Sequence, residues 1–477
     1  MVESSYQFYP SKTVKLLAVA VGSLSILIGY VMTAGNPYLV VALAAGIGLV
    51  AACFRWPSLF IALYFSYALL GSVLPAAQLT LAGMNVYPSD FLIMLALIVI
   101  ALVAWQRRLE WPRSRLVLPL VLFLVLVGFE TGAGFLRGYA LRSILRDVAN
   151  ALGYIMVMVG FNLVRDKRTL GRWAMVLFVA GSLTAAYAIA MRVLGIETVR
   201  GFEGSDTANT IYGQVSRSYG LPGAASFYLF AFFIGAALLA ERASLWASSG
   251  WTVLGVGTVL CFVQILLLYG RSLFLGVLAG VTLMALTWPA SRRVKMAVVG
   301  IVAALAVFVV APQLNVPYTA PMADRYLSIV SRTAGGAAAY DTIRDRQNEL
   351  RVVWTVSGFW EKIVGFGLGA RHLAVYADRE EVYHNAIAET IFRMGVLGVA
   401  IFVWFMAQMV RETAETVHWK GDPSLQAFHL ALMASFMATV VWGLGTAGMP
   451  FAANATVCAA LGMALRAREL LRPDLGL

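Results

Sequence analysis

Three positions in this chain set a charged or proton-handling side chain where hydrophobicity breaks. Arg271 stands in Gly270-Arg271-Ser272, which interrupts an apolar stretch over 252–287 long enough for two membrane helices. A charge within a membrane costs about 3 kcal/mol on insertion scales. This arginine therefore marks either a turn at the lipid surface or a polar cavity. The guanidinium fork donates paired hydrogen bonds and keeps its charge at every accessible pH, so the chemistry it suits is phosphate binding. Arg217 lies in Val215-Ser216-Arg217-Ser218-Tyr219-Gly220-Leu221-Pro222-Gly223, a tight Gly/Pro loop just ahead of an apolar run. It reads equally as a solvated loop charge or as a second anion contact. His384 stands in Tyr383-His384-Asn385-Ala386, at the seam between a charged segment and an apolar helix. A neutral imidazole there can take a proton from a sugar hydroxyl as a general base, with Asn385 to orient it. The same ring could serve as a helix cap or a snorkelling group. Glu389 and Arg393 follow, spaced as i, i+4 partners.

Much other chemistry is excluded. There is no P-loop, no GxGxxG opening a helix after a strand, no GxSxG and no HExxH. Gly365-Phe366-Gly367-Leu368-Gly369 has no βαβ context and reads as a tight turn. Of the four histidines, His372, His384, His418 and His429, no two sit at i, i+3 or i+4, and no acidic DxD pair marks the outer loops. Cys53, Cys261 and Cys458 lie in apolar runs without paired spacing, so neither a zinc site nor a disulfide framework is indicated. The expectation is no cofactor and no metal, with phosphate chemistry left to arginines.

The elements that position these residues are set by composition. Of 477 residues, 60% are hydrophobic and 13% charged, and the mean hydropathy is +0.79. That excludes a water-soluble enzyme, a disordered chain and a disulfide scaffold, and predicts an all-α polytopic membrane protein. A span takes ~20 residues, so fourteen would use about 280. Apolar runs predict helices near 14–34, 38–54, 57–76, 88–105, 116–135, 148–164, 173–194, 221–240, 251–269, 272–288, 295–312, 395–410, 425–445 and 449–466. The short runs at 38–54 and 148–164 make the count twelve to fourteen. The polar opening followed by a long apolar run reads as a first membrane helix, not a cleaved signal. The net charge of +12 is explained by Lys and Arg gathered in cytoplasmic loops, with no need of nucleic acid as a partner.

Those loops fix the orientation. Arginine and lysine clusters at 106–115, 165–172, 292–295 and 466–472 fall on one side, whereas the turns at 77–87 and 446–450 carry neither residue. Both termini are predicted cytoplasmic, and the chain forms one membrane domain over 1–477. Three outer segments break the charge rule: 137–147, 197–220 and 313–383. The last is a large loop whose stretch from Asp324 to Glu381 balances eight basic against eight acidic residues. Within it, residues 348–359 place Leu350, Val353, Trp354 and Ser357 or Phe359 at helical spacing, which predicts a short amphipathic helix against the membrane.

The motifs together resemble the O-antigen ligase and O-antigen polymerase superfamily. His384-Asn385, nine residues, then Gly395-Val396-Leu397-Gly398 is similar to its HNx9GxxG signature. Arg271-Ser-Leu-Phe-Leu275 resembles its Rx3L element, and the segment around Arg217 its R-x-x-G-x-x-G loop ahead of a span. Arg351 in Leu350-Arg351-Val352-Val353-Trp354, followed by the GFGLG turn, resembles the stretch that precedes the histidine. The likeness runs from about residue 215 to 410, while the first 200 residues match only in being helical. It implies a C-class glycosyltransferase of the bacterial inner membrane, with its site periplasmic. Such an enzyme takes a glycan from undecaprenyl diphosphate without a metal and inverts the anomeric centre. His384 would be the base, supported by Tyr383, Asn385 and Glu389, and Arg217, Arg271 and Arg351 would hold the diphosphate. The span count favours polymerisation of lipid-linked repeats of O-antigen or exopolysaccharide over ligation to lipid A-core. Membrane lipid and a chain-length regulator protein are the further partners implied. A transporter of lipid-linked glycan is the reading from another class. It would place polar groups near the midplane on broken helices, whereas the groups singled out here cluster at the outer surface.

Overall fold

A computed structural model of the chain describes residues 109–194, 225–241, 248–268, 271–288, 336–370, 385–417, 419, 421–444 and 455–471, with short pieces between 48 and 101. Apart from one hairpin the described elements are helical. The hairpin pairs β1 (Leu79–Leu81) with β2 (Met84–Val86), and it falls in the charge-free turn expected at 77–87. The helices are α1 (Val117–Leu136), α2 (Leu141–Leu152), α3 (Met156–Leu163), α4 (Lys167–Val193), α5 (Ala225–Glu241) and α6 (Ser248–Leu267). They continue with α7 (Arg271–Thr287), α8 (Gly336–Val356), α9 (Phe359–Val364), α10 (Ala386–Val417), α11 (Pro423–Leu444) and α12 (Ala455–Leu470).

Among the described residues six stretches are long and apolar enough to cross a membrane: Val117–Leu136, Leu141–Leu163, Lys167–Met191, Gly250–Leu267, Ala386–Thr416 and Pro423–Leu444. Ala225–Glu241 and Ser272–Thr287 are apolar but shorter. The chain is thus a multi-pass helical membrane protein. The spans expected at 14–34 and 295–312 lie outside the described residues, and those at 38–54, 57–76 and 88–105 largely so. Two expected spans begin earlier than hydropathy implies. The one placed at 148–164 starts at Leu141, because α2 carries Arg142, Arg146 and Asn150 outward and only Ile144, Asp147 and Ala151 inward. A short 3-10 turn over Gly153–Ile155 then feeds α3. The span placed at 395–410 runs from Ala386 to Thr416, because Glu389 and Arg393 are buried and paired and so do not end the helix.

Each helix shows how lipid shaped its sequence. On α1, Leu118, Leu122, Val125, Phe129 and Leu136 face outward and stay apolar, while Leu120, Phe123, Val127, Glu130 and Gly134 face inward. A lipid-facing stripe gains nothing from burial, so close packing of small residues must hold the helices together. The core is built on α11 and α12, both buried on nearly every side. Glycines let backbones touch: a Cβ on Gly462 of α12 would collide with the Val157 carbonyl of α3, and one on Gly160 with that of Ala459. Gly276 of α7 meets Ala438 of α11, and Gly280 meets Ala434, so these two helices run antiparallel. Gly462→Ala should therefore cost about 1–3 kcal/mol by overpacking. Gly255→Ala on α6, where an added Cβ meets nothing within 4 Å, should be neutral or mildly stabilising. Thermal unfolding in detergent separates the two, and equal midpoints would contradict the close α3–α12 approach.

The two ends of the bundle differ. At the proximal end, the segment 109–115 is tied to the ends of α10 and α12. Arg466 pairs with Glu110 at 2.6 Å, Arg115 with Glu415 at 2.5 Å, and Arg468 with the fully buried Glu412 at 3.5 Å. Lys167 pairs with Asp422. Asp166 caps α4 by accepting the Thr169 N–H at 2.8 Å and its hydroxyl at 2.6 Å. Burial pushes the Asp166 carboxyl up, but these bonds outweigh it and hold the group below its ordinary value. The described parts of three segments expected on one side, 106–115, 165–172 and 466–472, thus do share one end. The distal end carries 137–147, the start of α7, the Gly365–Gly369 turn and the start of α10.

Candidate functional site at the distal end

The distal site is organised by a break in α10. Gly395 has φ +64° and ψ −171°, which interrupts the helix, and a Cβ there would collide with the Ile363 carbonyl of α9. A break leaves the carbonyls of the preceding turn without helical donors. Those of Phe392 and Arg393 accept instead from the N–H groups of Phe366, at 2.7 Å, and Gly367, at 3.2 Å. The turn is further held by the Leu368 N–H donating to the Glu130 carbonyl at 3.1 Å and the Gly369 N–H donating to Asp147 Oδ2 at 2.8 Å. Gly365, Gly367 and Gly369 all have φ near +90°, a region closed to most side chains. The expected tight turn is therefore present, and it works as a wedge joining α1, α2 and α10.

Beneath the wedge lies a buried ion network. Arg393, 5% exposed, pairs with Asp147 of α2 and lies 3.3 Å from Glu389 one helical turn back. The expected i, i+4 pair is present and gains a third member. Arg137 sits above, with its guanidinium 5.8 Å from the Phe366 ring centre, 3.6 Å from Glu361, and donating to the Gly365 carbonyl at 3.4 Å. Glu130 of α1 is fully buried, and neither carboxylate oxygen has a hydrogen-bond partner among the described residues.

Asn385 begins α10. Its Oδ1 accepts from the N–H of Ile387 at 3.0 Å and of Ala388 at 3.3 Å, a helix cap, and its Nδ2 donates to the Arg346 carbonyl of α8 at 3.2 Å. The side chain caps the helix start from the residue after His384 and staples α8 to it. Val353 of α8 packs with Ala388, Ile391 and Phe392, which leaves Arg351 exposed beside the same helix. The helix in the loop is longer than expected, Gly336–Val356, and is followed by a separate α9 rather than continuing through Phe359. Arg271 opens α7 at this end of the bundle, by the antiparallel register with α11; its side chain lies outside the description. Tyr383, His384 and Arg217 fall outside the described residues.

Of the expected site, then, Asn385 and Glu389 lie at the first turns of α10, and Arg351 is exposed on α8, the helix packed against them. Asp147, Glu130 and Arg137 join them unforeseen. The signal for Asp147 was the demand of Arg393 for a buried counter-ion beyond Glu389. Among the described residues no three His, Cys, Asp or Glu side chains are grouped to hold a metal ion. Compared with known proteins, the chain matches no protein-family model and no curated protein at a significant level.

Proposed function

We propose that this protein is a glycosyltransferase of the C class acting at its distal face, which is the periplasmic face of a bacterial inner membrane. It takes a glycan from undecaprenyl diphosphate and transfers it, with inversion and without a metal, to another lipid-linked repeat unit, so building an O-antigen or exopolysaccharide. His384 removes the proton from the acceptor hydroxyl as its oxygen attacks the anomeric carbon. The bond from that carbon to the diphosphate oxygen breaks, and the diphosphate leaves with the electron pair. Arg217, Arg271 and Arg351 stabilise the charge that develops on it.

The observation that carries this reading is the mutual docking of the motif pieces. The GFGLG turn binds the carbonyls released by the Gly395 break, and the helix of Arg351 is stapled to Asn385. The first glycine of the HNx9GxxG signature thereby acquires a physical reason, since Gly395 makes the break. The exposed Arg351 is open to a ligand on the same face.

The test is to incubate purified protein with a defined lipid-linked oligosaccharide, with and without lipid A-core. A ladder on the lipid carrier is expected. A single transfer to lipid A-core would make the protein a ligase. No product, together with transbilayer movement of the lipid, would make it a transporter and overturn the proposal. Arg271→Lys keeps charge but loses the bidentate fork, and should lower turnover about tenfold or more. Chelator should change little. Inhibition by EDTA that magnesium or manganese reverses would replace arginine with metal as the diphosphate holder.

A further inference from the structure

The helix α2 bears two arginines that the mechanism above does not use. Arg142 and Arg146 are exposed, stand at i, i+4 on one face, and among the described residues neither has an ion-pair or hydrogen-bond partner. At the proximal end Arg115, Arg411, Arg466 and Arg468 each meet a glutamate, while Arg168 is exposed without an ion pair among the described residues. Of the acids described at this end, Asp147 and Glu389 pair with Arg393 and Glu361 with Arg137, while Glu130 is fully buried on α1. Arg146 is close enough to the buried Arg393 for the two charges to act on each other. Arg393 already has Asp147 and Glu389, so the like charges left without an acid are Arg142 and Arg146, and an anion between them lowers their energy.

The mounting is rigid. Ile144 and Asp147, on the opposite side of α2, are buried, and Asp147 is held by both Arg393 and the Gly369 N–H. Tyr139, just before α2, packs against the cluster of Val353, Ala388 and Phe392. The first turn of α2 has no acidic residue and no side-chain cap, so its N–H groups and positive dipole end face the same region. Segment 137–147 is also one of the outer segments that break the charge rule.

From these observations we infer that Arg142 and Arg146 form a phosphate-binding site on α2, beside the glycine wedge, for the phosphate head of a lipid. That the lipid is an isoprenoid diphosphate rests on the proposed glycosyl transfer; the anion site itself does not. Arginine pairs at this spacing can each reach one phosphate oxygen set, so a diphosphate uses both.

The experiment measures binding of three probes to the full-length protein in nanodiscs: undecaprenyl diphosphate, phosphatidylglycerol and inorganic pyrophosphate. It compares native protein, Arg142→Gln/Arg146→Gln, and Arg168→Gln, an exposed arginine of the proximal end, as control. The double variant should lose about tenfold in affinity per arginine for undecaprenyl diphosphate, with a smaller loss for pyrophosphate, while Arg168→Gln binds as native. Both arginines are exposed, and a matching thermal midpoint confirms that the double variant is folded. If phosphatidylglycerol loses as much as the isoprenoid lipid, the site stands as a general lipid-phosphate site. Unchanged affinity for all three probes overturns it. The assay is independent of turnover. Lost binding without any transfer activity in the native protein would sink the glycosyltransferase reading and keep the site. Full transfer with unaltered binding would do the reverse.

Discussion

His384→Ala should lower glycosyl transfer by about 10²–10⁴-fold, the usual cost of removing a general base, while leaving donor binding intact. The separation follows from the proposed division of labour. Arginines hold the diphosphate, and the imidazole acts only on the acceptor hydroxyl. Asn385, the next residue, caps α10 through two backbone N–H groups, so the helix start has its own anchor. The variant should therefore fold and insert as native. His372→Ala, outside the motif, should keep most of its activity. Turnover near native in folded His384→Ala protein would remove histidine from the mechanism and leave the arginines to carry it.

The second large effect is on stability. Arg393→Met leaves Asp147 buried without its counter-ion, and breaking a buried pair in this way costs about 3–5 kcal/mol. Asp147→Asn should cost less, because the amide oxygen still accepts the Gly369 N–H while Arg393 retains Glu389. The double variant Asp147→Asn/Arg393→Met should recover part of the loss of Arg393→Met, since no unmatched charge at position 147 remains. Unfolding in mixed detergent would read this coupling. Strictly additive losses would mean that the two residues do not sense each other, against the pairing described here.

The membrane character was legible because an apolar run of about twenty residues matches the thickness of a bilayer, and many such runs in one chain exceed what a soluble core can bury. The common end of the segments 106–115, 165–172 and 466–472 followed from basic residues alone, and the ion pairs there bear it out. What hydropathy could not see is where a helix continues through charge. Glu389 and Arg393 lower the apolar average of α10, yet they are satisfied by each other and by Asp147, so the helix does not end. Likewise α2 reads as a charged loop because its inner side offers only Ile144, Asp147 and Ala151. The partner of a buried charge lies far along the chain, and a window of local sequence carries no information about it. The glycine turn was read correctly as a turn. Its receptor, the pair of carbonyls exposed by the break at Gly395, was not, because a helix break leaves no compositional mark beyond one glycine.

The pairing of Asp147 with Arg393 also bears on how the protein is made. The two residues are 246 positions apart. At a synthesis rate of about 5–20 residues per second, roughly 10–50 s separate their emergence from the ribosome. For most of that interval Asp147 has been made and neither the glycine wedge nor α10 exists to meet it. The distal end is thus completed only when the chain through Arg393 has entered the membrane. The proximal end closes later still, when Arg466 reaches Glu110 across 356 positions. A chain stopped short of Arg393 therefore differs chemically from a finished one, since it displays an acidic group with no counter-ion at the place where the finished protein has a neutralised core.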